Sequence, residues 1–154
     1  MHVVPVADAV VLPPGVARRV HLQRRGRRLL AGDDRGLLEY WKKVPADFKT
    51  DPWVARAAAR AFMLRGGDDT ALDVLEAALN REWHEELAAL YGEVRGSNPA
   101  RQIEQAEKWL HAQPRDAQLL LALAQLCSAQ QLWGKAQSYL EASLAISASA
   151  EGHI

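Results

Sequence analysis

The sequence holds a single cysteine, Cys127, among its 154 residues. That excludes an internal disulfide framework and any CxxC metal or redox pair. Long apolar runs are missing as well. The longest stretches, such as Leu119-Leu120-Leu121-Ala122-Leu123-Ala124, fall far short of the roughly 20 residues that cross a bilayer as a helix. No basic start leading into an apolar stretch and a small-residue cleavage site is visible, so the chain is expected to be soluble as it stands. Net charge is also absent, with 19 Lys and Arg against 19 Asp and Glu. The balance is uneven along the chain: residues 1–43 hold nine basic against four acidic groups (+5), and residues 44–154 hold ten against fifteen (−5). A basic entry precedes an acidic body. From Asp51 onward no apolar–polar alternation of strand length occurs.

What is present is ordinary for a globular protein, 49% hydrophobic and 25% charged residues, enough to bury a core. Helix punctuation is legible. Asp51-Pro52 and Asn98-Pro99 each set a capping side chain before a proline at the first helical position, where its missing N–H is not needed. Asp116, and Asp68 or Asp69, are further candidate caps. Gly66-Gly67 and Gly96 offer stops, and Pro114 follows another helix end. Between these marks apolar residues recur at helical spacing: Ala55, Ala58, Ala59 and Phe62; Ala71, Leu75, Ala78 and Leu79; Leu87, Leu90, Tyr91 and Val94. The same spacing continues with Ile103, Ala106, Trp109 and Leu110; Leu120, Leu123, Ala124 and Cys127; and Ala136, Leu140, Ser143 and Leu144. Each stripe predicts a helix of three to four turns with one buried face. Two further helices are expected over Pro14–Ala31 and Asp34–Val44. Residues 1–13 read as an extended arm, and 147–154 as a fraying tail.

A shift of 65 residues superposes the stripes. Ala55 meets Leu120, Ala58 Leu123, Ala59 Ala124 and Phe62 Cys127; then Ala71 meets Ala136, Leu75 Leu140, Ala78 Ser143 and Leu79 Leu144. An offset just under two units of about 34 residues implies a third helix pair between them. Its first helix fits; its second fits loosely, because Gln102 or Ile103 stands where a small alanine belongs. Small residues at a crossing let two helices approach while Leu, Phe or Tyr fill the adjacent holes. A lone pair cannot bury its apolar face, so pairs stack. The expected fold is all-α: a right-handed superhelix of antiparallel helix pairs, with an N-terminal pair in 14–50 and about three repeats in 51–146. These residues resemble the tetratricopeptide repeat, most closely in 117–146, then 52–82, and least in 84–114.

A narrower resemblance lies in Asn98-Pro99-Ala100-Arg101-Gln102-Ile103-Glu104-Gln105-Ala106-Glu107-Lys108-Trp109-Leu110, continuing through Pro114 to Leu119–Leu123. It extends to Leu132-Trp133-Gly134-Lys135-Ala136-Gln137-Ser138-Tyr139-Leu140-Glu141-Ala142-Ser143-Leu144. Together these look like the C-terminal repeat region of the proteobacterial HemY proteins, associated with protohaem IX biosynthesis. Tyr40-Trp41-Lys42-Lys43-Val44-Pro45 and Arg81-Glu82-Trp83 suit the same family, so the resemblance spans roughly 34–146. It implies a parent protein anchored in the inner membrane of a Gram-negative bacterium ahead of the repeats, with the cytoplasmic side favoured. This chain would then be its excised soluble part. It also implies haem-synthesis enzymes as partners. The unrelated flavoprotein oxidase that shares the family name needs a GxGxxG after a strand, and this sequence has neither.

Chemistry-bearing residues read mostly as structure. His2, His21, His84, His111 and His153 are scattered, without the HxxxH or HxxE spacing that aims two ligands from one helix face. No CxxCH haem-attachment motif occurs. His111 suits a helix end, where the dipole favours a cation. Cys127 falls on a buried stripe and reads as a small core hydrophobe. Trp109 and Trp133 fit between helices with their N–H groups at the surface; Trp53 is either packing or a binding anchor. Arg18, Arg19, Arg24, Arg25, Arg27 and Arg28 form a basic run that suits a solvated face, or anionic lipid before nucleic acid.

No catalytic constellation, cofactor motif or metal set emerges, and binding is expected in place of catalysis. In a stack of pairs the first helices line a groove that holds a partner protein or peptide. The repeat frame puts Trp53, Arg56, Arg60 and Met63 there, then Glu85, Ala88 and Arg95, then Gln118, Leu121 and Gln125. Direct haem or porphyrin binding is the competing expectation, and contact with lipid or nucleic acid through the arginine run another. An apolar side of the last helix left open would let the chain self-associate.

Overall fold

The computed structural model of the chain describes residues 34–152. Among these residues there are eight α-helices: α1 (Asp34–Lys42), α2 (Ala46–Lys49), α3 (Pro52–Leu64), α4 (Asp68–Arg81), α5 (Glu85–Tyr91), α6 (Pro99–Ala112), α7 (Ala117–Ala129) and α8 (Trp133–Gly152). The expected arm to Pro13 and the helix over Pro14–Ala31 lie outside the described residues.

Three helices start where the capping pattern predicts. The Asp51 carboxylate accepts the N–H groups of Trp53 and Val54 ahead of Pro52. Asn98 accepts from Arg101 N–H ahead of Pro99, and Asp116 from Leu119 N–H. Each such bond satisfies an amide that the first helical turn leaves unpaired, a contribution of about 1 kcal/mol. Helix α4 departs from expectation. Its N-cap is Gly67, with no side-chain bond, and Asp68 and Asp69 sit inside the first turn. There their charge meets the positive end of the helix dipole. The preceding stop is as expected: Gly66 takes φ +77°, a backbone that glycine adopts without strain.

The helices pack as antiparallel neighbours, α3 on α4 and α7 on α8; α5 lies against α7 and also meets α3 and α4, and α6 packs on α7. Alanine makes the close approaches. Ala55, Ala59, Ala71, Ala88 and Ala106 have no exposed surface, and Leu75, Leu119 and Leu123 fill the spaces between them just as completely. At the first end Trp41 of α1 meets Phe62 of α3 edge-on, with ring centroids 6.4 Å apart. In the middle Trp109 is flanked edge-on by Trp83 and Tyr91, at 5.7 and 4.8 Å.

Four departures have local causes. Helix α5 has only seven residues and ends at Tyr91, where the stripe through Val94 predicted three to four turns. Downstream, the Gln102 amide donates to the carbonyls of Tyr91 and Val94, at 3.1 and 2.8 Å. Those acceptors are satisfied from α6, and the chain is free to leave the helix. Short helix α2 was not foreseen; Pro45 opens it and Thr50 Oγ1 closes it by donating to Ala46 O at 3.1 Å. Helix α8 runs to Gly152 where a frayed tail was expected from Ser147; the alanine-rich end carries high helix propensity. Finally, Trp133, Leu140 and Leu144 are 63%, 40% and 59% exposed, where the repeat frame and the tryptophan reading put them in contact with neighbours. Nothing among the described residues covers that side of α8. Trp109 is buried as expected, and its N–H donates to Oδ1 of exposed Asn80 at 2.9 Å.

Candidate functional site

Two clefts on the described surface gather most of the groove candidates. The first, about 300 Å³, has Arg56 and Arg60 of α3 on one wall, and Glu85 and Glu86 of α5 with Glu93 just past its end on the other. Ala89 and Leu90 form its floor, and Gln118 of α7 closes one side. The two arginines are one helical turn apart, so both guanidinium groups leave the same face of α3. Glu86 stands in the first turn of α5, and Glu93 follows in the turn after the helix ends. Among the described residues, none of these five charged groups has an ion pair or a side-chain hydrogen bond. The cleft therefore holds both signs of charge on facing walls, each still open to an incoming group.

The second cleft, about 550 Å³, lies between α7 and α8. Leu121, Ala124, Gln125 and Ser128 line it from α7, Trp133, Ala136, Gln137 and Leu140 from α8, and Arg95 stands at its edge. It is mostly apolar, and Arg95 is its single charged lining residue. The Arg95 guanidinium is steadied by donating to the carbonyl of Gly92 at 2.6 Å and of Val94 at 3.2 Å.

Of the ten groove candidates, Arg56, Arg60, Glu85 and Gln118 thus meet in one cleft, and Arg95, Leu121 and Gln125 in the other. Trp53 and Met63 are half-buried and line neither. Ala88 is a correction. It is completely buried at a helix crossing and presents nothing to a groove. Glu86, Ala89 and Glu93 went unnoticed in the sequence. Counting one turn on from Glu85 finds Ala89, but Glu93 lies past the end of α5, where helical spacing no longer places it. Arg18, Arg19, Arg24, Arg25, Arg27 and Arg28 lie outside the described residues, as do His2, His21 and His153.

Between α4, α5 and α6 is a polar cluster that no sequence motif announced. Glu76 is 8% exposed. It receives the Tyr91 hydroxyl at 2.7 Å and a two-pronged bond from Arg101, both contacts at 3.0 Å. Burial, then the bond to Glu76, pushes the Tyr91 hydroxyl well above the ordinary tyrosine range. Burial and the nearby Glu76 charge also raise Asp73. Asp69 is lowered, because it accepts hydrogen bonds from Ser97. The cluster joins α4, α5 and α6, and the bond from Ser97 N–H to Asp69 ties in the loop between α5 and α6. Cys127 is fully buried, and burial pushes its thiol up, away from the reactive thiolate. Among the described residues no three His, Cys, Asp or Glu side chains group as a metal site, and no helix is long and apolar enough to cross a membrane. His111 is exposed in the last turn of α6, as its reading at a helix end requires.

No protein-family model matches this chain, and no curated protein is significantly similar to it.

Proposed function

We propose that the chain is a non-catalytic protein-binding scaffold of the tetratricopeptide type, a right-handed superhelix of helix pairs whose first helices hold a segment of a partner protein. The observation that carries this reading is the first cleft, where Arg56 and Arg60 face Glu85, Glu86 and Glu93 and none of the five has an ion pair among the described residues. A segment bearing carboxylates toward α3 and amines or guanidinium groups toward α5 completes both walls. Neither a uniformly acidic nor a uniformly basic peptide does so. Such complementarity sets partner choice and register more than raw affinity. The HemY resemblance supplies the proposed context: a parent anchored in the inner membrane, with enzymes of late haem synthesis as partners.

Affinity capture from a proteobacterial extract tests the reading, with the full chain as bait beside an Arg56→Glu/Arg60→Glu variant of matching circular dichroism. The charge-reversed bait is expected to lose at least about 90% of each specific partner, a change of about 1.4 kcal/mol or more. Partners of the unmodified bait should include haem-synthesis enzymes and should elute with salt, since exposed charges are screened within about 8 Å at physiological ionic strength. Identical partner sets on both baits would sink the cleft as the binding site. A specific set without any haem-pathway protein would keep the scaffold and remove its proposed context.

A further inference from the structure

The open side of α8 and the adjoining cleft on α7 form a surface that this fold covers elsewhere. Leu75 and Leu79 of α4 stand 65 positions before Leu140 and Leu144 of α8. The first two are 0% and 4% exposed, in the region where α5 packs on α4; the second two are 40% and 59% exposed. The surface is thus shaped as a seat for one more helix.

Three properties of the seat identify its occupant. The first is spacing. The outward residues Trp133, Gln137, Leu140 and Leu144 are separated by four, three and four positions, a pattern that reads the same in both directions. An antiparallel copy of α8 therefore superposes the set on itself, with Trp133 against Leu144 of the second copy and Gln137 against Leu140. The second is charge. Arg95 is the single charged residue lining the cleft, and Glu141, which accepts from the Gln137 amide at 3.0 Å, stands beside the seam and balances it. A face packed on itself must be nearly neutral, and this one is. The third is size. With a tryptophan worth roughly 250 Å² in full, the exposures of Trp133, Leu140 and Leu144 sum to on the order of 300 Å². That is less than half of the roughly 800 Å² a stable complex takes from each partner; Ser128 and Ala129 of α7 add to it, and the size suits a weak, reversible pair.

We infer that α8 is a homodimer seam: two copies of the chain pair antiparallel across Trp133, Gln137, Leu140 and Leu144, each α8 lying in the other copy's α7–α8 cleft. The seam lies apart from the Arg56–Glu93 cleft, so each copy keeps its own charged cleft and the dimer presents two.

Sedimentation of the full chain from about 1 to 300 µM, a range set by the modest area, is expected to show a reversible monomer–dimer equilibrium. Leu144→Glu leaves the monomer intact, because Leu144 is exposed, and sets an unpaired carboxylate against Trp133 of the second copy; it should weaken dimerisation at least tenfold with unchanged circular dichroism. Register is read separately by mixing Gln137→Cys chains with size-tagged Leu140→Cys chains. On mild oxidation the mixed disulfide should form faster than either self-linked product, with buried Cys127 silent. A monomer throughout the range overturns the inference, as does a dimer indifferent to Leu144→Glu. Self-linked products that outpace the mixed one overturn the antiparallel register, and with it the seam as drawn. Monomers that instead capture a different protein through Leu144 would assign the seat to that partner and equally end the homodimer.

Discussion

Gln102 stands where the repeat frame calls for a small alanine, yet it is 2% exposed. Its amide nitrogen binds the carbonyls of Tyr91 and Val94, and its oxygen accepts from Gly96 N–H at 3.3 Å. One side chain from α6 thus closes the end of α5 and holds the loop that follows. Removing it leaves buried carbonyls without donors, which costs about 1–3 kcal/mol for each group stranded. Gln102→Ala is expected to lower unfolding free energy by about 2–4 kcal/mol with an unchanged denaturant slope, measured in urea. Gln102→Leu refills the volume and should lose nearly as much, separating the hydrogen bonds from the cavity. A Leu variant as stable as the parent would show that the amide is not what holds the loop. The residue was visible in the sequence only as a misfit. Its partners are backbone groups, which no residue pattern encodes, so its role could not be read there.

At the scale of the helix, what is local was legible and what is not was missed. The caps of α3, α6 and α7 were readable because Asp51, Asn98 and Asp116 act on amides two or three residues away. The end of α5 was not, since its carbonyl partners come from the next helix. The docking of α8 is likewise long-range. Glu107 of α6 accepts from the Tyr139 hydroxyl at 2.6 Å and pairs with Lys135 at 2.9 Å, and Ser143 donates to Ala117 O at 2.8 Å. Bonds to Lys135 and Tyr139 hold the Glu107 carboxyl below the ordinary value of 4.5. Because its folded-state pKa is depressed, the stabilisation is complete above about pH 4.5 and fades as pH falls through the lowered value. Lys135, raised by the same partner, loses its share only at the alkaline end, as pH climbs through its folded value. Glu107→Gln should therefore melt below the parent at about pH 7, and the two melting curves should converge toward about pH 2.5. A gap of constant width at both pH values would rule out the charge as its source.

For the whole molecule, an eight-position match at one offset was enough to read stacked helix pairs, because burying a continuous face between neighbours imposes its period on the sequence. The fate of each face was not legible from that period. Leu79 and Leu144 occupy equivalent positions, and only the presence or absence of a neighbouring helix makes one 4% and the other 59% exposed. The same asymmetry governs how the stack opens. Helix α7 is packed by α5, α6 and α8, and Leu119, Leu123 and Cys127 have no exposed surface. Helix α8 rests on α7 through one face and is largely exposed beyond Leu144. In a stack, each unit is held by its own stability and by its contacts with neighbours. Local opening should therefore start at α8 and reach α7 only in full unfolding. Hydrogen exchange at low concentration, where copies are apart, should find the slowest amides in α7 between Leu119 and Cys127. Those beyond Leu144 should exchange faster by at least about a hundredfold, within the spread between terminal and core helices. Raising the concentration should then slow α8 selectively if its seam closes on a second copy, while α7, already at the global limit, moves little. Uniform exchange across α7 and α8 would mean that the two helices open as one unit, with packing on α5 and α6 giving α7 no separate protection.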